Sequence, residues 1–176
     1  MTAGFCILWA VLILTLPLKF LLAAVTAALI HEMCHVVAVS LTSGEIRGLT
    51  LGAGGLTMRV DPMPPGRELL CALAGPVGSL LLGLLPMTEL AVCGMVQGLF
   101  NLIPLMPLDG GRVVGCLLEL MVPQYRERAQ YILEWLVLGS LLALIFAYRL
   151  GIGAIVVWIL LAMRKFPCKP WTKAVQ

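Results

Sequence analysis

Charge is what this sequence has least of. Asp, Glu, Lys and Arg make up 12% of its 176 residues, where a soluble domain carries about 25%. Together with 61% hydrophobic residues and a mean hydropathy of +1.03, this deficit excludes an ordinary water-soluble globule and points to an integral membrane protein. The formal charge of +3 is small. No basic helix and no basic–aromatic interleaving occurs, so nucleic acid is excluded as a partner. No C-x-x-C pair exists among Cys6, Cys34, Cys71, Cys93, Cys116 and Cys168. They read as small buried apolar residues, not as a disulfide set or a thiolate metal site. The N-terminus lacks a basic n-region and a small-residue cleavage site, so a retained helix is expected there instead of a signal peptide. Repeats are absent too, and the length leaves room for a single domain, 1–176, with no separate soluble one.

What is present is a series of apolar runs. A spanning helix needs roughly 20 apolar residues. The pattern predicts an all-α polytopic membrane protein of about six transmembrane helices, over 4–17, 20–41, 67–85, 89–104, 129–148 and 150–163. The sixth reaches only ~21 Å at 1.5 Å per residue, so it and the first are expected to tilt, to lie in thinned bilayer or to half-span. With six spans both termini share a side. Arg47, Arg59, Arg67, Arg112, Arg126, Arg128, Arg164, Lys165, Lys169 and Lys173 fall there, leaving only Lys19 and Arg149 opposite. The positive-inside rule then puts both termini and the loops 42–66 and 105–128 in the cytosol. Between the second and third spans, Glu45–Leu51, Gly52-Ala-Gly-Gly and Leu56–Val60 read as a small β-hairpin at the cytosolic membrane surface. Alternation puts Leu56, Met58 and Val60 on one of its faces.

The chain has just two histidines, and both stand in an apolar run: His31-Glu32-Met-Cys-His35. From Phe5 to Leu41 the only other charged residue is Lys19. Histidines at i and i+4 share one helix face and can bind one metal ion. Glu32 borders the same face. Ionisable residues in a bilayer are costly and mark function by default. A catalytic zinc commonly takes three protein ligands and keeps one open position. The third ligand is to be found among Glu45, Asp61, Glu68, Glu89, Asp109, Glu119, Glu127 and Glu134. Asp109 stands out by context, because it follows a membrane helix broken by Pro104 and Pro107, and irregular backbone at that depth must line protein or a cavity. It could instead simply cap a short helix starting at Gly110.

His31-Glu32-x-x-His35, followed by Ala74-Gly75-Pro76 and then by Asn101-x-x-Pro104-x-x-Pro107-x-Asp109-Gly110, resembles the site-2 protease family of intramembrane zinc metalloproteases, peptidase family M50. The likeness covers about residues 20–125, the expected catalytic core, with 4–17, 129–148 and 150–163 as auxiliary helices. It looks closest to the sporulation-type branch, which processes a membrane-associated pro-sigma factor. The resemblance implies one Zn2+ per chain held by His31, His35 and Asp109, with Glu32 as general base. It also implies a membrane-tethered protein substrate held as an extended strand by Asn101, Pro104 and the hairpin residues Leu56, Met58 and Val60, in a bacterial cytoplasmic membrane. A regulatory membrane protein is a further candidate partner. The sequence departs from the family in having no room for a PDZ domain between the motifs and no CBS domain, which argues against the envelope-stress branch and against nucleotide control.

Two other functions fit a metal pattern in a membrane. One is a metal-binding transporter or sensor without peptidase activity. The other is an inactive relative that only binds substrate. A transporter is expected to spread His and acidic residues over several helices and to show internal repeats. This chain concentrates them at one place and adds an acid at the base position, as an endopeptidase requires.

Overall fold

The computed structural model describes residues 17–42, 44, 46–52, 55–86, 88–149 and 151–163. The helix expected over 4–17 lies outside the described residues except for Pro17, as do Glu45 and the basic tail from Arg164 onward. Residues 1–130 and 131–176 form two packing units, described in turn.

In the first unit, helix α1 (Leu18–Leu41) follows Pro17, whose missing N–H costs nothing at a helix start. Its 24 residues reach roughly 36 Å, more than a hydrocarbon core. Thr42 closes it, its hydroxyl donating to the carbonyls of Ala38 and Val39 at 2.9 and 3.1 Å. Strands β1 (Ile46–Gly52) and β2 (Gly55–Val60) pair antiparallel, with a register irregularity between Ile46 and Gly48. Helix α2 (Pro65–Leu81) opens on a proline and runs on as a 3-10 turn, Leu82–Leu84. Pro76 inside it has no N–H to donate, and it is fully buried. Helix α3 (Glu89–Asn101) is capped by Thr88, whose hydroxyl accepts from the Ala91 N–H at 3.2 Å. Lys19 and Glu89 pair at 2.9 Å, joining the starts of α1 and α3, so these two helices begin at the same end.

Helix α4 (Asp109–Met121) departs from the sequence pattern, which places its residues in a cytosolic loop, 105–128. Gly110, Gly111, Gly115 and Cys116 form its buried side. Glycine weakens the apolar periodicity that marks a helix, but here it permits close packing. A Cβ at Gly110 would overlap the Leu102 carbonyl, and one at Gly111 would lie 2.6 Å from Met106 N. The fourth apolar run is also shorter than expected: α3 stops at Asn101, and 102–108 form a turn with a cis Met106–Pro107 bond and a fully buried Leu105.

The interior of this unit is built from small residues. Ala27, Ala72 and Ala91 are buried with Cys71, Cys116 and Ser79. The large apolar side chains point outward: Leu29, Met33 and Val37 on α1, Val77 and Leu81 on α2, Val96 and Leu99 on α3. Water would oppose such a surface, while lipid accepts it, and small residues let helices approach where lipid leaves no hydrophobic drive between them. Gly94 and Gly98 meet α2 in this way: added Cβ atoms would lie 2.8 Å from the Ser79 carbonyl oxygen and 3.0 Å from that of Pro76.

The second unit holds most of α5 (Arg126–Ala147) and helix α6 (Gly151–Met163). The Trp158 indole N–H donates to the Leu138 carbonyl at 2.8 Å. Three helical segments among the described residues, Leu18–Leu41, Pro65–Leu84 and Pro123–Ala147, are long and apolar enough to cross a membrane. The runs 89–104 and 150–163 yield helices of 13 residues each.

Candidate metal centre

His31 and His35 sit one turn apart on the buried stripe of α1, with Ala27 and Val39. Exposure of His31 is 2% and of His35 9%. Their rings meet edge to face, with centroids 4.8 Å apart. Asp109 reaches them as the first residue of α4. Leu108 occupies the N-cap position and Asp109 lies inside the helix, so it does not cap a helix starting at Gly110. The glycines at 110 and 111 allow α4 to begin hard against the 102–106 turn, which brings Asp109 to the histidines. Arg112, one turn on, lies 3.7 Å from Glu68 of α2.

The three side chains converge on one point. His31 Nε2 and His35 Nε2 lie 3.0 and 3.2 Å from Asp109 Oδ2 and 3.2 Å from each other. A tetrahedral metal with ligands at about 2.0–2.1 Å separates its ligand atoms by roughly 3.3 Å, so the spacing fits one such ion. Hydrogen bonding on the far side of the rings fits as well. The His35 Nδ1–H donates to the Cys71 carbonyl at 2.7 Å, which leaves the lone pair of the neutral ring on Nε2. The His31 Nδ1 is hydrogen-bonded to Ser79 Oγ at 2.8 Å. Metal-binding histidines are oriented by such outer partners. Among the described residues, no other group of three His, Cys, Asp or Glu side chains is placed to hold a metal ion.

Asp109 lies outside the spanning helices. Its carboxyl oxygen Oδ2 faces both Nε2 atoms, and as a metal ligand it would be ionised. Four of the other acids considered for the third position have basic partners: Glu89 pairs with Lys19, Asp61 with Arg47, Glu68 with Arg112 and Glu119 with Arg126. Glu32 is half-buried on α1, next in sequence to His31.

Gly75 lies against the metal-facing nitrogens of both rings: a Cβ there would overlap His35 Nε2 and come 2.7 Å from His31 Nε2. Only glycine leaves that space free. The Ala74-Gly75-Pro76 triplet marks the position in the sequence, but nothing local says what it faces. Asn101 is the last residue of α3, and Asn101 and Pro104 are both half-buried. Leu56, Met58 and Val60 lie on β2.

Apolar spans enclosing a His-His-Asp cluster beside a glutamate define an integral membrane protein with a candidate metal centre. The comparisons with known proteins agree. Residues 2–100 match the family model described as Peptidase M50B-like, and residues 84–146 match that of Peptidase family M50. The chain belongs to the M50 peptidase family, whose zinc metalloproteases include the site-2 proteases. It is 31% identical over 130 residues to a zinc metalloprotease of Methanocaldococcus jannaschii, a match covering 64% of this chain. The chain spans 36% of that relative's length. Its fold is similar to the structure of a site-2 protease from the same organism, with a TM-score of 0.65 at 19% identity, covering 89% of this chain and 81% of the other.

Proposed function

We propose that this chain is an intramembrane zinc endopeptidase that cleaves a membrane-tethered protein near the cytosolic side of the bilayer. The observation that carries the reading is the meeting of His31 Nε2, His35 Nε2 and Asp109 Oδ2 within 3.2 Å of one another, with Glu32 next to His31 on the same helix.

Zinc held by these three side chains would supply a Lewis acid that brings the pKa of a water to about 7. Glu32 would accept a proton from the attacking water and pass it to the leaving amine, as the water oxygen bonds to the scissile carbonyl carbon and the C–N bond breaks. His31 and His35 would offer their Nε2 atoms, oriented through Ser79 Oγ and the Cys71 carbonyl. The substrate must be extended, since helical carbonyls are already hydrogen-bonded. Among the described residues the sheet has two strands, and strand addition at an outer edge would draw out a peptide. Leu56, Met58 and Val60 on β2, with Asn101 and Pro104 at the end of α3, are assigned to hold it.

The bias of Lys and Arg supports a multi-pass protein of six spans, with both termini cytosolic and β1–β2 at the cytosolic surface of a bacterial membrane. Motif order supports a membrane-associated pro-sigma factor as the substrate. The test is co-expression with tethered pro-sigma-type and unrelated single-span reporters. Wild type should release a shortened pro-sigma product that is absent with His31→Ala. The same product with both proteins would overturn the reading.

A further inference from the structure

Helix α2 presents three groups to the histidines at a spacing of four residues. Cys71 offers its carbonyl to His35, Gly75 leaves bare backbone beside the two Nε2 atoms, and Ser79 offers its hydroxyl to His31. The two helices run antiparallel here, so the earlier histidine meets the later α2 residue. The two partners are unequal. A carbonyl can only accept, so Cys71 dictates the tautomer of His35 by itself. A serine hydroxyl can donate or accept, so His31 has no tautomer imposed until something else is bound at Nε2.

We infer that Ser79 is a positioning residue that acts through His31, an assignment that rests on the metal-centre reading above. With a metal on Nε2, the Nδ1 of the neutral ring carries the proton and donates it to Ser79 Oγ at the 2.8 Å seen. Ser79 then locks ring orientation and directs the Nε2 lone pair at the ion. Its exposure is 0%, so water cannot take over if the hydroxyl is removed. Without metal, His31 can carry its proton on Nε2 toward Asp109 Oδ2 at 3.0 Å, whereas with metal on Nε2 the buried Nδ1–H would lose its only acceptor, so loss of this one oxygen should act on metal affinity more than on the fold.

Cobalt(II) and zinc(II) alone serve as probes, on the purified full chain in detergent. Affinity is read by chelator competition and geometry by the cobalt absorption spectrum. Ser79→Ala should bind about 10–100-fold more weakly than wild type and shift the cobalt bands, while thermal unfolding of the metal-free protein stays close to wild type. Ser79→Thr, which restores a hydroxyl, should recover most of the affinity and the wild-type spectrum. Wild-type affinity and spectrum in Ser79→Ala would overturn the role of Ser79 and leave the metal centre standing. Failure of wild type itself to bind either ion would overturn both. An affinity loss that tracks a fall in metal-free stability, unrelieved by Thr, would reduce Ser79 to packing and contradict the proposal.

Discussion

Replacing Glu32 with Gln is expected to abolish cleavage while leaving the metal in place. The amide keeps the size of the carboxylate and its position on α1, beside His31 and half-buried, but it cannot accept a proton. A positioned general base is worth typically about 10²–10⁴-fold in rate, or about 3–5 kcal/mol of barrier. His31, His35 and Asp109 are untouched by the change, so zinc content should match wild type. Turnover with a reconstituted substrate, read beside metal content in one preparation, checks both halves. Retained turnover would remove Glu32 as the base. Lost zinc would show that it acts as a ligand or a structural residue instead.

Gly75→Ala is expected to be just as damaging by a different route. The added Cβ is fixed to the α2 backbone and overlaps His35 Nε2, with His31 Nε2 only 2.7 Å away. Neither ring can yield easily, since each is tied by its Nδ1 to α2 itself. Either the rings turn aside or α1 and α2 separate, and both outcomes scatter the ligand atoms. Zinc content should fall from about one per chain to below about a tenth. Cleavage should drop by at least about 10²-fold, the loss that a misplacement of about 1 Å can cause. Gly66→Ala on the same helix, where nothing lies within 4 Å of the added atom, serves as the control and should leave zinc and turnover unchanged. Wild-type metal content in Gly75→Ala would contradict the geometry assigned to the centre.

These two variants differ in how visible their residues are in the sequence. Glu32 stands out because an acid between two histidines in an apolar run is too costly in lipid to be incidental. Long apolar runs likewise announce α1, α2 and α5. Asp109 draws attention through the broken helix before it. What singles it out in the structure is a pairing 74 to 78 residues away in sequence, while Asp61, Glu68, Glu89 and Glu119 are taken up by basic partners. Helix α4 escapes the apolar pattern because its buried side is mostly glycine, which carries no apolar signal. Ser79 is not readable as part of the site at all, and Gly75 is marked by the Ala74-Gly75-Pro76 triplet without any sign of what it faces. Their roles exist only where α2 crosses α1, and neither residue type hints at a metal. Membrane sidedness has the opposite character: it is read from the placement of Lys and Arg and not from the packing of the helices.

The central claim is that His31, His35 and Asp109 together hold one metal ion. Metal analysis of the purified protein, wild type beside a His31→Ala, His35→Ala double variant, tests it most directly. The expected result is about one zinc per chain in wild type and none in the double variant. Equal zinc in the two proteins, or a wild type that takes up none when zinc is supplied, would contradict it.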